Sequence, residues 1–129
     1  MEILIKDQQG AGKITNELAI EVESEKMTVR ELITARVTSE VEEYNSKRPS
    51  TFTGLIRPDD TEAVLNGYKL RGKKVIDPER QVYVALDSFQ KNGFFILVDK
   101  KQVMTLDEEV SLHEKSTVSF VKLTQLVVG

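Results

Sequence analysis

The residue whose type and position most clearly suggest chemistry is the last one, Gly129, which follows Leu126, Val127 and Val128. Because glycine has no Cβ, its backbone can approach another surface closely and adopt φ values that other residues avoid. The segment 125–129 has no helical pattern and directly follows a predicted strand. These features favour an extended tail that is free at its end. The alternative interpretation is that the three residues before Gly129 simply end an edge strand.

A glycine-rich turn near the N-terminus suggests a phosphate-binding loop, but its pattern is wrong. In Gly10-Ala11-Gly12-Lys13 the Walker motif requires a glycine where Asp7 stands and Ser or Thr where Ile14 stands. It also requires a helix after the lysine, whereas the sequence predicts a strand. We therefore interpret this segment as a turn.

The composition offers few residues for a metal site or a catalytic nucleophile. The chain has no cysteine, and His113 is its only histidine, which we predict to lie on the surface. The run of Asp107, Glu108 and Glu109 has no partner motif and indicates a solvated connection. The sequence therefore predicts no metal site, no cofactor and no enzyme active site.

A basic cluster is the second candidate site. Its residues are Lys69, Arg71, Lys73 and Lys74, next to Tyr68. It could contact phosphates or the acidic face of a partner, and the alternative is a solvated loop. Since 18 basic and 21 acidic residues give a net charge of −3, spread along the chain, we expect no nucleic-acid partner.

Length and hydropathy limit the organisation of the chain. Its 129 residues and 14.6 kDa correspond to one domain. No stretch approaches the ~20 apolar residues that a membrane span needs, and the apolar run in residues 1–6 is too short for a signal peptide. We therefore expect a cytoplasmic protein with no membrane partner.

The clearest element is a helix that begins at Thr28 and ends before Pro49. Thr28-Val29-Arg30-Glu31 fits a capping box. One apolar stripe follows at helical spacing, and four charged residues fall off it and are predicted to face solvent. The stripe is Val29, Leu32, Ile33, Val37, Val41 and Tyr44, and the charged residues are Arg36, Glu40, Glu42 and Glu43.

The remaining elements follow from alternation and capping signals. Strands are predicted at residues 2–6, 18–23, 94–98 and 117–123, with a short strand or turn near Val103 and an irregular crossover at 106–112. A second helix is predicted from Asp77 to Asn92, where Val82, Leu86 and Phe89 either pack inward or bind a partner. A short helix through Val64 and Leu65, closed by Gly67, is expected after Asp59. The expected core is Leu32, Ile33, Val37, Val41, Ile96, Val98, Phe120 and Leu123.

Several segments together resemble the ubiquitin-like sulfur carriers, represented by the molybdopterin-synthase small subunit and the thiamine sulfur carrier. The segments are MTVRELI at the helix start, then ILVDKKQV, LDEEVSL and STVSFVKLTQLVVG towards the C-terminus. The resemblance covers residues 1–45 and 93–129. It implies an α+β fold of the β-grasp type, in which a mixed sheet of four or five strands packs on the main helix. Residues 46–92 would be a helical or loop insertion that packs as an appendage within a single domain, 1–129.

The resemblance also implies a function that the chain performs without being an enzyme. An adenylating enzyme would activate the carboxylate of Gly129, with Leu126, Val127 and Val128 recognised as the tail, and conjugating and deconjugating enzymes would be further partners. The family usually ends in Gly-Gly, whereas this chain ends Val-Val-Gly. The activated glycine would modify protein amines or, alternatively, carry sulfur as a thiocarboxylate. Bacterial ubiquitin-like proteins are the group that we suspect. An interaction module with an inert tail is the alternative from another class.

Overall fold

The computed structural model of the protein describes residues 1–10, 12–65, 67–71 and 75–122. Within these ranges the chain forms an α+β architecture with two helices and a mixed five-stranded sheet. The expected fold class is confirmed at this level, as is the packing of a sheet against the first helix. Its apolar stripe and the inward-facing residues of the sheet form one core.

The sheet is built around two parallel strands. Its order is β2-β1-β9-β6-β7, with β1 and β9 parallel and all other neighbours antiparallel. Two smaller antiparallel pairs, β3–β8 and β4–β5, lie outside it. The strands are β1 (Glu2–Gln9), β2 (Lys13–Glu21), β3 (Lys26–Thr28), β4 (Thr61–Val64), β5 (Gly67–Leu70), β6 (Phe94–Val98), β7 (Lys101–Val103), β8 (Glu109–Ser111) and β9 (Thr117–Lys122), and the helices are α1 (Val29–Lys47) and α2 (Pro78–Gln90).

Helix α1 begins where the capping box predicted. Thr28 Oγ1 accepts a hydrogen bond from the Glu31 amide at 3.1 Å, and Glu31 Oε1 accepts one from the Thr28 amide at 3.0 Å. Both first-turn donors are therefore satisfied by side chains. The helix ends at Arg48, which adopts a left-handed conformation with φ 47° just before Pro49.

The predicted core residues are buried wherever the structure describes them. Leu32, Ile33, Val41, Ile96 and Phe120 are essentially inaccessible to solvent, and Val37 and Val98 are also buried. Leu123 lies outside the described residues. The prediction for α1 was wrong at two positions, because the side chains of Arg36 and Glu40, expected on the solvent face, are buried.

The short helix expected after Asp59 is wrong, since this segment is the β4–β5 hairpin. Phe52 and Tyr68 exchange two backbone hydrogen bonds, of 2.7 and 2.9 Å, so a third segment pairs with the hairpin. Gly67 has φ 149°, and a Cβ there would lie within 2.5 Å of the Phe52 carbonyl oxygen. The glycine therefore permits a close approach of two backbones rather than closing a helix.

The crossover at 106–112 was expected to be irregular, and that is also wrong. Its residues Glu109–Ser111 form β8, which pairs with β3 just before α1. The pairing places the Glu108 carbonyl 2.9 Å from the Val29 amide and the Leu106 carbonyl 2.9 Å from the Arg30 amide. The crossover thus accepts hydrogen bonds from the first turn of α1.

The inserted segment is partly helical and shares the core of the sheet. Helix α2 begins as predicted, with Asp77 Oδ1 accepting from the Glu79 amide at 3.0 Å. Asn45 on α1 bonds both backbone groups of Ile76, at 2.8 and 2.9 Å. Val82, Leu86 and Phe89 on α2 pack inward against this core. The inserted side chains buried in the common core are Phe52, Leu55, Ile76, Ala85 and Phe89.

Candidate functional site

The end of β9 is held from both sides. Lys122 lies opposite Gln9 on β1 and opposite Phe94 on β6. The Gly10 amide donates a further hydrogen bond to the Lys122 carbonyl at 3.1 Å. The last described residue, Lys122, is therefore held in a fixed position at one end of the sheet. We take this end of the sheet, with the groups beneath it, as the candidate site.

A buried ionic network lies beneath this end. The Arg36 guanidinium donates to both carboxylate oxygens of Asp7, with Nη2 2.6 Å from Oδ2 and a second, shorter bond from Nη1 to Oδ1. Its Nε donates to Glu40 Oε1 at 2.5 Å. The guanidinium carbon also lies 4.5 Å from the centroid of the Phe120 ring. A buried charge is tolerated only with such pairing, and the two-oxygen contact is the strong form of it.

Glu40 connects this network to the inserted segment. Its second oxygen, Oε2, accepts from the Leu55 amide at 3.1 Å. A Cβ on Gly54 would overlap both this carboxylate and the Phe52 ring, so only glycine allows the loop to approach. The network therefore joins β1, α1 and the start of the insertion below the end of β9.

Burial shifts the protonation equilibria of these groups. It raises the pKa of Glu40, and the opposing attraction of Arg36 does not fully offset that effect. Burial also lowers the pKa of Lys122, against the opposing charge of Asp7. For Arg36 burial acts to lower the pKa, but the contacts with Asp7 and Glu40 outweigh it and raise the pKa overall. The arginine remains charged and holds the network together.

The tail residues predicted from the sequence, Gly129 with Leu126, Val127 and Val128, lie outside the described residues. Lys73 and Lys74 of the basic cluster also lie outside them. The two remaining members are exposed on the hairpin, where Lys69 opposes Glu62 across the strands and the Arg71 amide is 3.4 Å from the Asp60 carbonyl. Lys69 therefore lies opposite a carboxylate, whereas the contact of Arg71 with Asp60 joins backbone groups.

Sequence reasoning missed the Asp7–Arg36–Glu40 network, although one signal for it was present. Ile3, Ile5 and Asp7 occupy alternate positions of one strand, so they share its inward face. A carboxylate that continues an apolar face requires a buried cation or several donors. Arg36 meets this requirement, and Glu40 lies four residues further along the same helix.

His113 lies on the surface, as predicted, within a small polar cluster. Ser116 Oγ donates directly to Asp99 Oδ2 at 3.3 Å and accepts from the His113 amide at 2.9 Å. His113 Nε2 lies 3.8 Å from the same Asp99 oxygen, and its Nδ1 accepts from the Lys115 amide. The imidazole does not lie between the hydroxyl and the carboxylate, so this is not the relay of a hydrolase triad. The cluster closes the turn before β9.

The outer face of the sheet carries an apolar surface. Leu4 and Ile14 are 44% and 46% exposed, and Phe95 and Leu97 on β6 are half-buried. Leu4, Phe95 and Leu97 face away from α1 because their strand neighbours face the core. Ile14 lies opposite Gln8, which is on the same outer face. Large apolar side chains in such a position are typical of surfaces that contact other proteins.

Among the described residues no cluster of three or more His, Cys, Asp or Glu is placed to hold a metal ion. Neither described helix combines the length and the apolarity that crossing a membrane requires. Comparison with protein families, curated proteins and solved structures found no match for this chain.

Proposed function

We propose that this protein is a ubiquitin-like carrier or modifier of the β-grasp type, activated at the C-terminal carboxylate of Gly129. The observation that carries the proposal is the strand arrangement β2-β1-β9-β6-β7. The β1–β2 and β6–β7 hairpins lie on either side of the last strand, β9, which runs parallel to β1, and α1 packs across one face of the sheet. This arrangement is the one expected for a β-grasp fold. The resemblance of the sequence segments described above supports the same assignment.

The site geometry is suited to this role because the tail begins at a rigid base. The end of β9 is bonded on both sides and rests on the Asp7–Arg36–Glu40 network. A partner that binds the sheet would therefore contact the chain at a fixed position, the residue at which the tail begins.

The chemistry requires only a carboxylate from this chain. An oxygen of the Gly129 carboxylate attacks the α-phosphorus of ATP, the bond to pyrophosphate breaks, and an acyl-adenylate forms. A thiolate of the activating enzyme then attacks the acyl carbon and AMP leaves, giving a thioester. Transfer to a protein amine releases the thiolate, and the amine proton passes to a base of the partner. The thiol must come from the partner because this chain has no cysteine.

The alternative outcome of the same activation is sulfur transfer. Sulfide supplied by the partner would attack the acyl carbon in place of the thiolate, and AMP would leave, so that a thiocarboxylate forms on Gly129. Both outcomes predict a bacterial cytoplasmic setting, where the adenylating enzyme and its ATP are present. Conjugating and deconjugating enzymes are partners only in the first.

The test is ATP–pyrophosphate exchange with the adenylating enzyme encoded nearest to this chain in its genome. Intact mass first establishes that Gly129 is the last residue of the mature protein, then reports a thiocarboxylate or an amine-linked product. Gly129→Ala should slow exchange about tenfold or more, because a methyl group must enter a channel shaped without one. Deleting Gly129 should abolish exchange without changing the melting temperature.

Leu65→Ala is the matched control, since this side chain on the hairpin is 98% exposed and far along the chain from the tail. It should leave exchange at the parent rate. Exchange that persists without Gly129 in a folded protein would overturn the proposal.

A second candidate function is an interaction module whose tail is inert. The observation that favours it is the apolar outer face formed by Leu4, Ile14, Phe95 and Leu97. Partner binding that depends on this face, combined with no exchange and no product on Gly129, would favour the module.

A further inference from the structure

Strand β2 lies at an edge of the sheet and leaves one row of backbone groups unpaired by any described strand. Val22 and Met1 exchange two hydrogen bonds, from the Val22 amide at 2.8 Å and from the Met1 nitrogen at 3.2 Å. In an antiparallel ladder such pairs alternate, so the backbones of Leu18 and Ile20 also bond to β1. The amides and carbonyls of Glu17, Ala19 and Glu21 therefore point away from β1.

Two grooves flank this edge on the side of α1. One, of about 700 Å³, has an apolar base that includes Val22, Met27 and Ala35. The other, of about 360 Å³, lies further along β2, beside Leu18 and Phe52. A strand added to β2 would place alternate side chains over these apolar surfaces, and the other side chains on the outer face of the sheet.

The surroundings of the edge are predominantly acidic. Arg30 and Lys47 are the cations among the groove-lining residues, and Lys47 is already paired with Glu43 at 2.9 Å. On β2 itself, the side chains of Glu17 and Glu21 lie on the outer face of the sheet, where Glu17 is opposite Lys6 on β1 and Glu21 binds the N-terminal ammonium group at 3.2 Å. The glutamates that line the grooves are Glu17, Glu21, Glu23, Glu31, Glu40, Glu42 and Glu43.

These charges disfavour a second copy of the chain as the occupant. In a two-fold antiparallel pairing of β2 with itself, centred on Ala19, Glu17 of each copy would lie opposite Glu21 of the other. Like charges directly opposite each other destabilise a sheet. The excess of glutamates over cations along the two grooves would favour lysine or arginine on an added strand.

We propose that the free edge of β2 is a docking site for an extended basic segment of another protein, which adds to the sheet as a further strand. Apolar residues of that segment alternate with basic ones, so that the former face α1 and the latter lie beside Glu17 and Glu21. Backbone hydrogen bonds supply the affinity of such strand addition, and alternate side chains supply its specificity. The site goes beyond the proposed function and does not require Gly129.

The test uses the full chain and the peptide Lys-Val-Lys-Val-Lys-Val-Lys, capped at both ends. Hydrogen exchange should slow at the amides of Glu17, Ala19 and Glu21 on peptide addition. The amides of Leu18 and Ile20 should be protected with or without peptide, because they bond to β1. Slowed exchange elsewhere but not at the three edge amides would overturn the proposal, as would an absence of binding.

Variants of the edge separate backbone pairing from charge. Ala19→Pro removes one outward amide without breaking a bond to β1 and should weaken binding about tenfold or more. Should Ala19→Pro fail to fold, a peptide with an N-methylated backbone is the second measurement, because it retains the side chains and loses its donors. Binding that is unaffected by both changes would exclude strand addition.

Charge is tested by Glu17→Lys against the matched control Glu114→Lys, an exposed loop position with the same change in net charge. Only Glu17→Lys should weaken binding, about threefold to tenfold at low salt. The peptide Glu-Val-Glu-Val-Glu-Val-Glu should not bind, and equal binding of it would overturn the basic assignment.

A concentration-dependent dimer that Ala19→Pro dissociates would show that a second copy occupies the edge, and would also overturn the proposal. Since no adenylating enzyme is present, failure here leaves the activation of Gly129 untouched.

Discussion

Two arginines in different regions of the molecule each lie over an aromatic ring, and they differ in burial. Arg36 on α1 lies 4.5 Å from the Phe120 centroid and is completely buried. Arg57 in the inserted segment lies 5.5 Å from the Tyr68 centroid, is exposed, and donates to the Thr61 carbonyl at 2.7 Å. The first binds two carboxylates inside the protein, whereas water can solvate the second. The same residue type therefore organises the core in one region and supports a surface hairpin in the other.

The largest effect is expected from Arg36→Ala. It leaves the carboxylates of Asp7 and Glu40 buried without their cation, which should cost about 3–5 kcal/mol of unfolding free energy. The matched variant Arg57→Ala removes one exposed arginine and its two hydrogen bonds to Thr61, and should cost about 1 kcal/mol. Urea unfolding of both variants measures the difference. Equal losses would show that burial does not distinguish the two arginines.

The second prediction compares the core around α1 with the core of the inserted segment. Phe52→Ala in the insertion should cost about 3–5 kcal/mol, a loss comparable to that of Ile33→Ala on α1, about 2–5 kcal/mol, because both residues belong to one buried cluster. Thermal unfolding should show a single transition for each variant.

Deleting residues 46–92 with a short Gly-Ser link sharpens the same comparison. The resemblance to small carriers suggested that this deletion would be tolerated, since they lack the segment. The burial of Phe52, Leu55 and Phe89 in the common core leads us to expect loss of cooperative unfolding instead. A deletion variant that unfolds cooperatively would restore the picture of an appendage.

The regions also differ in how well their sequence predicted them. Around α1 the capping box at Thr28 and the apolar stripe are local signals, and both were correct. In the insertion, Gly67 was interpreted as a helix end because its actual constraint, the Phe52 carbonyl, lies fifteen positions away in sequence. A contact at that separation leaves no periodic trace in a single sequence. Arg36 was misplaced for the same reason, since its partner Asp7 lies on another element.

A smaller effect concerns pH and links the two regions through Glu40. Burial raises the folded-state pKa of Glu40 above its ordinary value of 4.5, so the folded protein binds this proton more tightly than the unfolded chain. Its contribution to stability is therefore fully present below about pH 4.5 and is lost as the pH rises through the folded-state pKa. Glu40→Gln cannot titrate and should remove this decline, measured as unfolding free energy from about pH 4 to 8.

Glu31→Gln provides the opposite case. Hydrogen bonds from the Thr28 backbone and side chain lower the pKa of Glu31, so its contribution is present above its ordinary pKa and lost as the pH falls through the folded-state value. Removing it should therefore flatten the acid side of the profile instead. Identical pH profiles for the parent and Glu40→Gln would contradict the assignment of a buried, proton-linked carboxylate.

The smallest effect is expected at the basic cluster of the hairpin. Lys69 and Arg71 are exposed, and Lys69 faces Glu62 across the strands, where a surface ion pair contributes little. The double variant Lys69→Ala, Arg71→Ala should therefore change the unfolding free energy by less than about 0.5 kcal/mol. If the cluster is the partner surface that the sequence suggested, the same variant should weaken binding to an adenylating enzyme, and more so at low salt, because screening lengths are longer there. The affinity is measured at two salt concentrations, with Lys26→Ala as an exposed control on β3. A salt-dependent loss of affinity that is specific to the double variant would identify a binding surface. Affinity equal to that of the parent would show that the cluster is only part of a solvated hairpin.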